Sequence, residues 1–312
     1  MRIIDAHCDL LGRMLVDSTV SFVTEHPDTR VNRQRMQEAN YAFQIFALYL
    51  SESLRRPGFP EVLEMVDLFR ERVCREGDVI LVRSVSDLQK AAEKGQLGGL
   101  LSLEGAEGLG GSLTCLRTLH ELGLRLLGLT WNHANWAADG VGESRNGGFT
   151  EKGKGLVREC NRLGIIMDVS HLAERGFWEL ADLSDKPFIA SHSNAKALCP
   201  HRRNLTDDQI TALIERQGRI GITFVPWFLS EGKASLKDIL KHIDYIGSRG
   251  GMPYLGFGSD FDGFDGGIPG LEHPGCFPNL VNELQKHYKE DEVRGLLFDN
   301  WYKFLQDNLP QV

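Results

Sequence analysis

The feature that most constrains the fold of this 312-residue chain is a repeated alternation of short apolar segments with segments of helical spacing. The apolar segments have the length of strands and are rich in β-branched, leucine and aromatic residues, and a predicted helix follows each of them. The predicted strands are residues 2–7, 41–50, 97–103, 124–130, 165–170, 188–191, 218–225 and 254–259. Eight β/α units in one chain predict an α/β protein with the fold of a (β/α)8 TIM barrel.

Short signals mark where several of the helices begin and end. Glycines follow three predicted helices, at Gly95, Gly123 and Gly164, as is usual at helix C-termini. Ser86 and Thr206 are predicted to cap the starts of two others. The last helices are predicted within residues 290–308, after a Gly- and Pro-rich stretch that predicts a loop.

A doubly wound open sheet is the alternative arrangement of the same elements. It would favour a Gly-rich phosphate-binding turn after the first strand, and the segment Cys8-Asp9-Leu10-Leu11-Gly12 does not provide one. α/β barrels often exceed the usual domain length, and no composition break marks a linker. We therefore expect one barrel domain that spans residues 1–312.

Composition excludes several classes of partner. The chain is 42% hydrophobic and 25% charged, with a net charge of -8, so it lacks the basic face that nucleic acids or anionic membranes require. No apolar tract is long enough to cross a bilayer, and no secretory signal is visible. Its six cysteines form no C-x-x-C pair, so free thiols are expected. These features predict a cytoplasmic protein that acts on a small molecule.

Side chains that can bind a metal ion end five of the predicted strands. The first strand ends in His7 and Asp9, the third in Glu104, the fifth in His171, the sixth in His192 and the eighth in Asp260. Taken alone, most of them could cap a backbone group, and His192 could be a hydrogen-bonded histidine of the core. The carboxyl ends of the strands share one mouth in a TIM barrel, however, and capping does not explain why five strands deliver such residues there.

His7 and Asp9 should point the same way, because side chains alternate along a strand, and Cys8 should then point away and serve in packing. A pair of nitrogen and oxygen ligands suits zinc or a similar divalent ion.

The number of candidate ligands fits two metal ions. His7 and Asp9 would bind one ion, His171 and His192 the other, and Glu104 would bridge them with its two carboxylate oxygens. Ions about 3.5 to 4 Å apart can hold a hydroxide between them and polarise a carbonyl oxygen. This chemistry is typical of a hydrolase.

Two further groups could serve such a hydrolase. Asp260 could take the proton of the hydroxide and pass it to the leaving amine, although the surrounding segment 258–263 could also be a turn whose Asp side chains bond the backbone. On the loop after the sixth strand, Arg202 and Arg203 could bind a substrate carboxylate. A solvated pair of arginines is the ordinary alternative.

Taken together, these motifs resemble the membrane (renal) dipeptidase family of zinc metallopeptidases, and the resemblance spans essentially the whole chain. The motifs are His7-x-Asp9, Leu103-Glu104-Gly105-Ala106-Glu107 followed by Leu122-Gly123-Leu124-Arg125, Asp168-Val169-Ser170-His171, Ser191-His192-Ser193 with Arg202-Arg203-Asn204, and Gly258-Ser259-Asp260-Phe261-Asp262-Gly263. Each is weak alone, but their order and spacing are specific.

The resemblance implies an amidohydrolase-like barrel with a binuclear zinc site that cleaves dipeptides, including those with a C-terminal D-residue. It also implies that the protein is a homodimer. By position, the zinc ligands are His7, Asp9, Glu104, His171 and His192. In the same way, Arg203 matches the residue that binds the terminal carboxylate of the substrate, and Asp260 matches the acid/base aspartate.

One position departs from the family pattern. Vertebrate members have a histidine directly after the Leu-Thr of the fourth strand, where it contacts the scissile carbonyl, whereas Trp131 follows Leu129-Thr130 here. His133, two residues further on, either takes over this catalytic role or the role is lost. Trp131 is assigned to substrate binding.

Two other functions are consistent with these residues. An N-acyl amino acid amidohydrolase would use the same two zinc ions and the same carboxylate anchor. A catalytically silent barrel would be expected to have lost a ligand, and none of the five ligand positions is degraded. A zinc-dependent dipeptidase is therefore the leading hypothesis.

Overall fold

A ring of parallel strands forms the centre of the computed structural model, which describes residues 1–51, 54 and 57–312. The strands in this part of the chain are β1 (Ile3–Cys8), β2 (Tyr41–Tyr49), β3 (Ile80–Leu81), β4 (Gly98–Glu104), β5 (Leu124–Gly128), β6 (Ile166–Asp168), β7 (Ile189–Ala190), β8 (Arg219–Ile222) and β9 (Leu255–Phe257). They follow the order β2-β1-β9-β8-β7-β6-β5-β4-β3, and a second pairing between β2 and β4 closes the ring. The predicted (β/α)8 barrel is confirmed.

The ring itself contains eight strands, and β3 is an addition that the sequence did not predict. Ile80 pairs with Gly98 and Leu81 with Gly99, so β3 extends the sheet only at the beginning of β4. Two residues are too few for an alternating pattern to stand out in the sequence.

Helices surround the barrel. They are α1 (Leu10–Val16), α2 (Arg33–Glu38), α3 (Phe59–Leu68), α4 (Val85–Lys94), α5 (Leu113–Leu122), α6 (Glu151–Leu163), α7 (Glu174–Leu183), α8 (Asp207–Glu215), α9 (Pro226–Leu229), α10 (Leu236–Ile246), α11 (Phe277–His287), α12 (Glu290–Arg294) and α13 (Asn300–Asn308). Short π-helical segments extend three of them, at Phe69–Arg75, Gly247–Gly251 and Gly295–Asp299. No helix of the described residues is long and apolar enough to cross a membrane.

The predicted helix ends are confirmed at four positions and wrong at one. Gly95, Gly123 and Gly164 adopt the left-handed conformation after α4, α5 and α6, and Thr206 caps α8. The helix α4 is capped by Ser84 rather than Ser86, because the hydroxyl of Ser84 accepts a hydrogen bond from the backbone N–H of Asp87.

The helix α11 was missed, because its surroundings are rich in Gly and Pro. Pro278 lies at its start, where its missing N–H costs no hydrogen bond. Its apolar side chains Phe277, Leu280 and Leu284 are buried, so packing against the barrel stabilises a helix where local composition predicts a loop. The short helices α1 and α9 were missed as well.

The core combines strand and helix residues. Cys8 belongs to a large buried apolar cluster, as the alternation along β1 predicts. A second cluster joins Ile4, Phe43 and Leu100 of the strands to Trp301 on α13. Apolar side chains from strands and helices thus pack around the barrel on several sides. The polar residues gather at the carboxyl ends of the strands.

Two glycines of α6 provide a test of this packing. A Cβ atom on Gly153 would lie 2.0 Å from the carbonyl oxygen of Ala137, whereas a Cβ on Gly155 would meet no atom within 4 Å. We expect Gly153→Ala to destabilise the fold by about 1–3 kcal/mol through overpacking. Gly155→Ala should stabilise it by about 0.5–1 kcal/mol, because alanine favours the helix.

The measurement is the thermal unfolding midpoint of both variants beside the parent protein. A Gly153→Ala midpoint equal to or above that of Gly155→Ala would contradict the close packing of α6 against Ala137.

Candidate metal centre

The predicted polar residues lie together at the carboxyl end of the barrel. His7 is in β1 and Asp9 directly follows it, and Glu104 is the last residue of β4. The other three lie two or three residues beyond their strands: His171 after β6, His192 after β7 and Asp260 after β9. Parallel pairing brings these strand ends to one mouth.

Glu104 lies between two groups of side chains. One of its oxygens, Oε2, is 3.4 Å from Nε2 of His7, which is itself 3.3 Å from Oδ2 of Asp9. The other oxygen, Oε1, is 2.9 Å from Nε2 of His171 and 3.7 Å from Nε2 of His192. Each carboxylate oxygen therefore faces a different set of donors, which is the arrangement a bridging ligand needs.

The donor atoms of this cluster fit a divalent cation. Nε2 of His7 and Oδ1 of Asp9 are buried without a hydrogen-bond partner, although buried polar atoms normally have one. His7, Glu104 and His192 offer three ligand atoms within 4.8 Å of one another, and His7 forms a second such group with Asp9 and Asp260. Imidazole nitrogens and carboxylate oxygens are ligands that zinc binds well.

Outer hydrogen bonds set the orientation of two histidines. Nδ1 of His171 lies 2.8 Å from Oδ1 of Asn132, to which it donates. Nδ1 of His192 lies 2.7 Å from the hydroxyl of Ser191, which in turn donates to Asp168. With Nδ1 as the donor in each ring, each Nε2 keeps a lone pair for a metal ion, as metal-binding histidines require, and the two Nε2 atoms lie 2.9 Å apart.

A second aspartate–serine pair repeats this arrangement on the other side of the barrel. Asp168 accepts from the backbone N–H of Ser191 at 3.0 Å as well as from its hydroxyl. Asp5 likewise accepts from the backbone N–H of Ser259 at 2.7 Å and from its hydroxyl at 2.6 Å. Each serine directly precedes a residue of the cluster. Sequence reasoning missed both pairs, although each Ser stands beside a candidate site residue in the sequence.

Electrostatics keeps two of the three histidines of the cluster in the form that binds a metal, whereas His7 would release a proton on binding one. Burial by itself would lower the pKa of His7, but the carboxylates of Glu104 and Asp9 outweigh it and hold that pKa well above its ordinary value. Burial lowers the pKa of His171 to about 4, and it also lowers the pKa of His192. Both of these imidazoles are therefore neutral near pH 7, which is the form that coordinates a metal.

The pKa values of Glu104 and Asp260 shift in opposite directions. Burial by itself would raise the pKa of Glu104, but the nearby charge of His7 outweighs it and holds that pKa well below its ordinary value. Burial raises the pKa of Asp260 well above its ordinary value, and the nearby carboxylate of Asp9 raises it further. Glu104 therefore stays ionised, while Asp260 is able to hold a proton, as an acid/base group must.

Backbone conformation brings Asp260 to Asp9. His171 and Asp260 have positive φ angles of 70° and 64°, a conformation that residues other than glycine seldom adopt. A Cβ on Gly263 would lie 2.2 Å from Oδ1 of Asp260 and 2.3 Å from Oδ2 of Asp9. Only glycine at position 263 leaves room for both carboxylates.

A cavity of about 810 Å³ opens above the cluster. The cluster residues and predicted substrate-binding residues that line it are Asp9, Glu104, Trp131, His171, Arg203 and Asp260. His7 and His192 lie deeper and are only 2% and 1% exposed. The cavity is large enough for a small organic substrate.

The two arginines on the loop after β7 lie in different environments. Arg203 is buried, donates through Nη2 to the carbonyl of His192 at 3.3 Å, and has a buried Nε atom without a partner. Burial lowers its pKa to about 10, so it remains a cation at neutral pH. Arg202 is exposed and donates to the carbonyl of Gly142. Arg203 is thus the arginine that faces the cavity.

Trp131 lines the cavity and His133 does not, although their ring centroids are 5.8 Å apart. The ring of Trp131 lines the cavity, with its centroid 5.9 Å from that of His171 and 5.4 Å from that of Tyr49. The side chain of His133 is 64% exposed and does not line the cavity, and its Nδ1 is 3.8 Å from a carboxylate oxygen of Glu143. A catalytic role for His133 stays a prediction, and one that requires the ring to move.

A closed parallel barrel that gathers histidines and carboxylates at the carboxyl ends of its strands defines the class of metallohydrolase barrels. Within this class, residues 1–309 match the model of the membrane dipeptidase family, peptidase family M19, and the chain belongs to that family. It is therefore a metallo-dipeptidase, a hydrolase that acts on peptide bonds.

Individual relatives support the same assignment. The chain is 33% identical over 303 residues to dipeptidase aclJ of Aspergillus oryzae, a match that covers 91% of this chain and 72% of that protein. A metallopeptidase of Rhodobacter sphaeroides, solved with a phosphinate mimic of the dipeptide L-Ala-D-Ala, has a TM-score of 0.90 and 32% identity, and 99% of each chain is covered. A solved dipeptidase of family M19 has a TM-score of 0.91 and 33% identity, over 100% of this chain and 99% of its own.

Ser191 provides a test of the outer hydrogen bonds. We expect Ser191→Ala to weaken zinc binding by about 10- to 100-fold, because His192 loses the acceptor that fixes its ring. Ser184→Ala is the matched control, since Ser184 is also buried and bonds the carbonyl of Lys186 at 2.9 Å, but lies at the end of α7. Competition with a zinc chelator measures both affinities. Equal affinities in the two variants would contradict a role for Ser191 in orienting His192.

Proposed function

We propose that the protein is a zinc-dependent dipeptidase with a binuclear centre. The proposed ligands are His7, Asp9, Glu104, His171 and His192, with Glu104 as the bridge. The observation that supports this proposal best is the position of Glu104, whose two oxygens face His7 on one side and His171 with His192 on the other.

Two divalent ions, when bound, would supply a hydroxide at neutral pH and a charge that polarises the scissile carbonyl. Asp260 would accept the proton released in the attack and donate it to the leaving amine. Its position 3.9 Å from Nε2 of His7 and its raised pKa support this role.

Arg203 would hold the C-terminal carboxylate of the dipeptide. Its guanidinium lies on the His192 side of the cluster, is buried and keeps an unpartnered donor, so a carboxylate at this place would satisfy it. Trp131 would pack against the substrate beside it. The Rhodobacter sphaeroides structure with a mimic of L-Ala-D-Ala supports a substrate class that includes dipeptides with a C-terminal D-residue.

A comparison of substrates tests the proposal. The zinc-loaded enzyme is assayed with Ala-Ala dipeptides that carry L- or D-alanine at the C-terminus, and with N-acetyl-L- and N-acetyl-D-alanine at equal concentrations. We expect the dipeptides to be cleaved faster. Faster cleavage of the N-acetyl compounds would favour an N-acyl amino acid amidohydrolase, which needs the same carboxylate anchor. No hydrolysis of any of them, with zinc bound, would favour a silent barrel.

A single substitution tests the bridge. Glu104→Gln keeps the shape of the side chain and removes its charge. We expect this variant to hold one zinc ion per chain or fewer, instead of two. Its kcat/KM should fall by about a thousandfold or more. The matched control is Glu107→Gln, since Glu107 is a half-buried neighbour that bonds Asn135 and belongs to neither ligand group. Elemental analysis and the dipeptide assay are the measurements, and two retained zinc ions with full activity in Glu104→Gln would contradict the bridge.

We further infer one domain over residues 1–312, a cytoplasmic location and a homodimer. All six cysteines are free thiols, which fits a reducing compartment. Light scattering on the purified protein measures the oligomeric state.

A further inference from the structure

The cavity continues past the metal cluster to two more arginines. Arg13 lies on α1, four residues after Asp9, and Arg30 follows in the loop before α2; both line the cavity. They contact the segment 262–266, which begins two residues after Asp260. They therefore lie on the Asp9 and Asp260 side of the cluster, whereas Arg203 lies on the His192 side. The candidate metal centre has a cationic group on each side.

Backbone carbonyls, rather than carboxylates, hold both guanidinium groups. Nε of Arg13 donates to the carbonyl of Asp262 at 2.8 Å. Nη2 of Arg30 donates to the carbonyl of Gly266, and the guanidinium lies 4.5 Å from the ring centroid of Phe264. Nη1 of Arg30 is buried without a partner. A carbonyl fixes the position of a guanidinium but leaves its charge uncompensated, and the free donor requires an acceptor.

The nearby aspartates leave the charges of Arg13 and Arg30 available for a ligand. The carboxylate of Asp262 accepts from the backbone N–H groups of Arg30 at 2.6 Å and Val31 at 3.1 Å, so its oxygens serve the backbone. Asp265 lies 3.9 Å from Nη2 of Arg13 but is fully exposed to solvent, and such a surface pair is weak.

Besides Asp9 and Asp260 of the cluster itself, two further acids on this side of the cavity lie at its rim. Asp28 is exposed. Asp17 is partly exposed and already accepts from the backbone N–H and the hydroxyl of Thr19. Solvent screens both charges, whereas Arg30 is half-buried.

We propose that Arg13 and Arg30 form a subsite for an anionic side chain on the N-terminal residue of the dipeptide. The proposal rests on the proposed function. With the C-terminal carboxylate on Arg203 and the scissile carbonyl above Glu104, the N-terminal residue extends towards Arg13 and Arg30. Guanidinium groups bind carboxylates through paired hydrogen bonds, so the favoured substrates are dipeptides that begin with glutamate or aspartate.

A pair of isosteric substrates tests this subsite. L-Glu-Ala and L-Gln-Ala, each with L- and D-alanine, differ at the N-terminal side chain by one charge and hardly in shape. We expect the zinc-loaded enzyme to prefer the Glu peptide by about tenfold or more in kcat/KM, as a charge-assisted hydrogen bond in a partly buried site predicts. Arg30→Gln and Arg13→Gln should each move this ratio towards one.

Control variants distinguish an effect on the subsite from an effect on folding or on the overall charge of the protein. Arg33→Gln changes an arginine of α2 that pairs with Asp78 and does not line the cavity, and it should keep the parent ratio. Thermal unfolding checks both variants, because Arg30 packs on Phe264 and the more exposed Arg13 bonds the carbonyl of the buried Asp262.

Equal kcat/KM for both peptides in the parent enzyme, or a ratio that neither variant changes, would overturn the subsite while leaving the dipeptidase intact. Failure to cleave any dipeptide of either panel with zinc bound would refute the proposed function, and the subsite with it.

Discussion

Seven consecutive residue pairs join β2 to β4, from Phe43 with Gly98 to Tyr49 with Glu104, and this ladder closes the barrel. Closure decides where every other strand end lies, because the remaining strands fill the ring between these two. It also places Glu104 at the mouth as the last residue of its strand. A carboxylate held at this point can face the ends of β1, β6 and β7 at once, and an open sheet would not bring those strands around it.

Burying so many ionisable groups in one place is costly unless each is compensated. The molecule uses two different solutions. Asp5 and Asp168 accept hydrogen bonds from the backbone and hydroxyl groups of Ser259 and Ser191, which offset part of the cost of their burial. His7 and Asp9 keep buried atoms without partners, and these are the atoms for which a metal ion is the natural partner. The aspartate–serine pairs thus fix the geometry of the cluster within which a metal ion would bind.

The segment 260–266 links the candidate metal centre to the cavity. Asp260 begins it in a left-handed conformation beside Asp9, and Gly263 leaves space for both carboxylates. The carbonyls of Asp262 and Gly266 then hold Arg13 and Arg30. One short turn therefore positions the acid/base candidate and the two arginines together, so a change in this turn would alter chemistry and substrate choice at the same time.

Much of the molecule could be predicted from local patterns. Strand alternation placed His7 and Asp9 on one side and Cys8 in the core, and the strand–helix order predicted the barrel. The polar strand ends then had to meet, because all strands are parallel. Helix ends at Gly95, Gly123 and Gly164 followed from the conformational freedom of glycine.

Only the tertiary structure decided the rest, because the deciding contacts join residues far apart in the chain. Asp5 meets Ser259 across 254 positions, and Arg30 meets Gly266 across 236. Packing made α11 a helix in a Gly- and Pro-rich stretch, and it brought Trp131 to the cavity while His133 faces outward. The sequence by itself determined the fold and the residues at the mouth, since periodicity and strand ends are local properties. The partners of those residues and the shape of the cavity depend on side chains that only the closed barrel brings together.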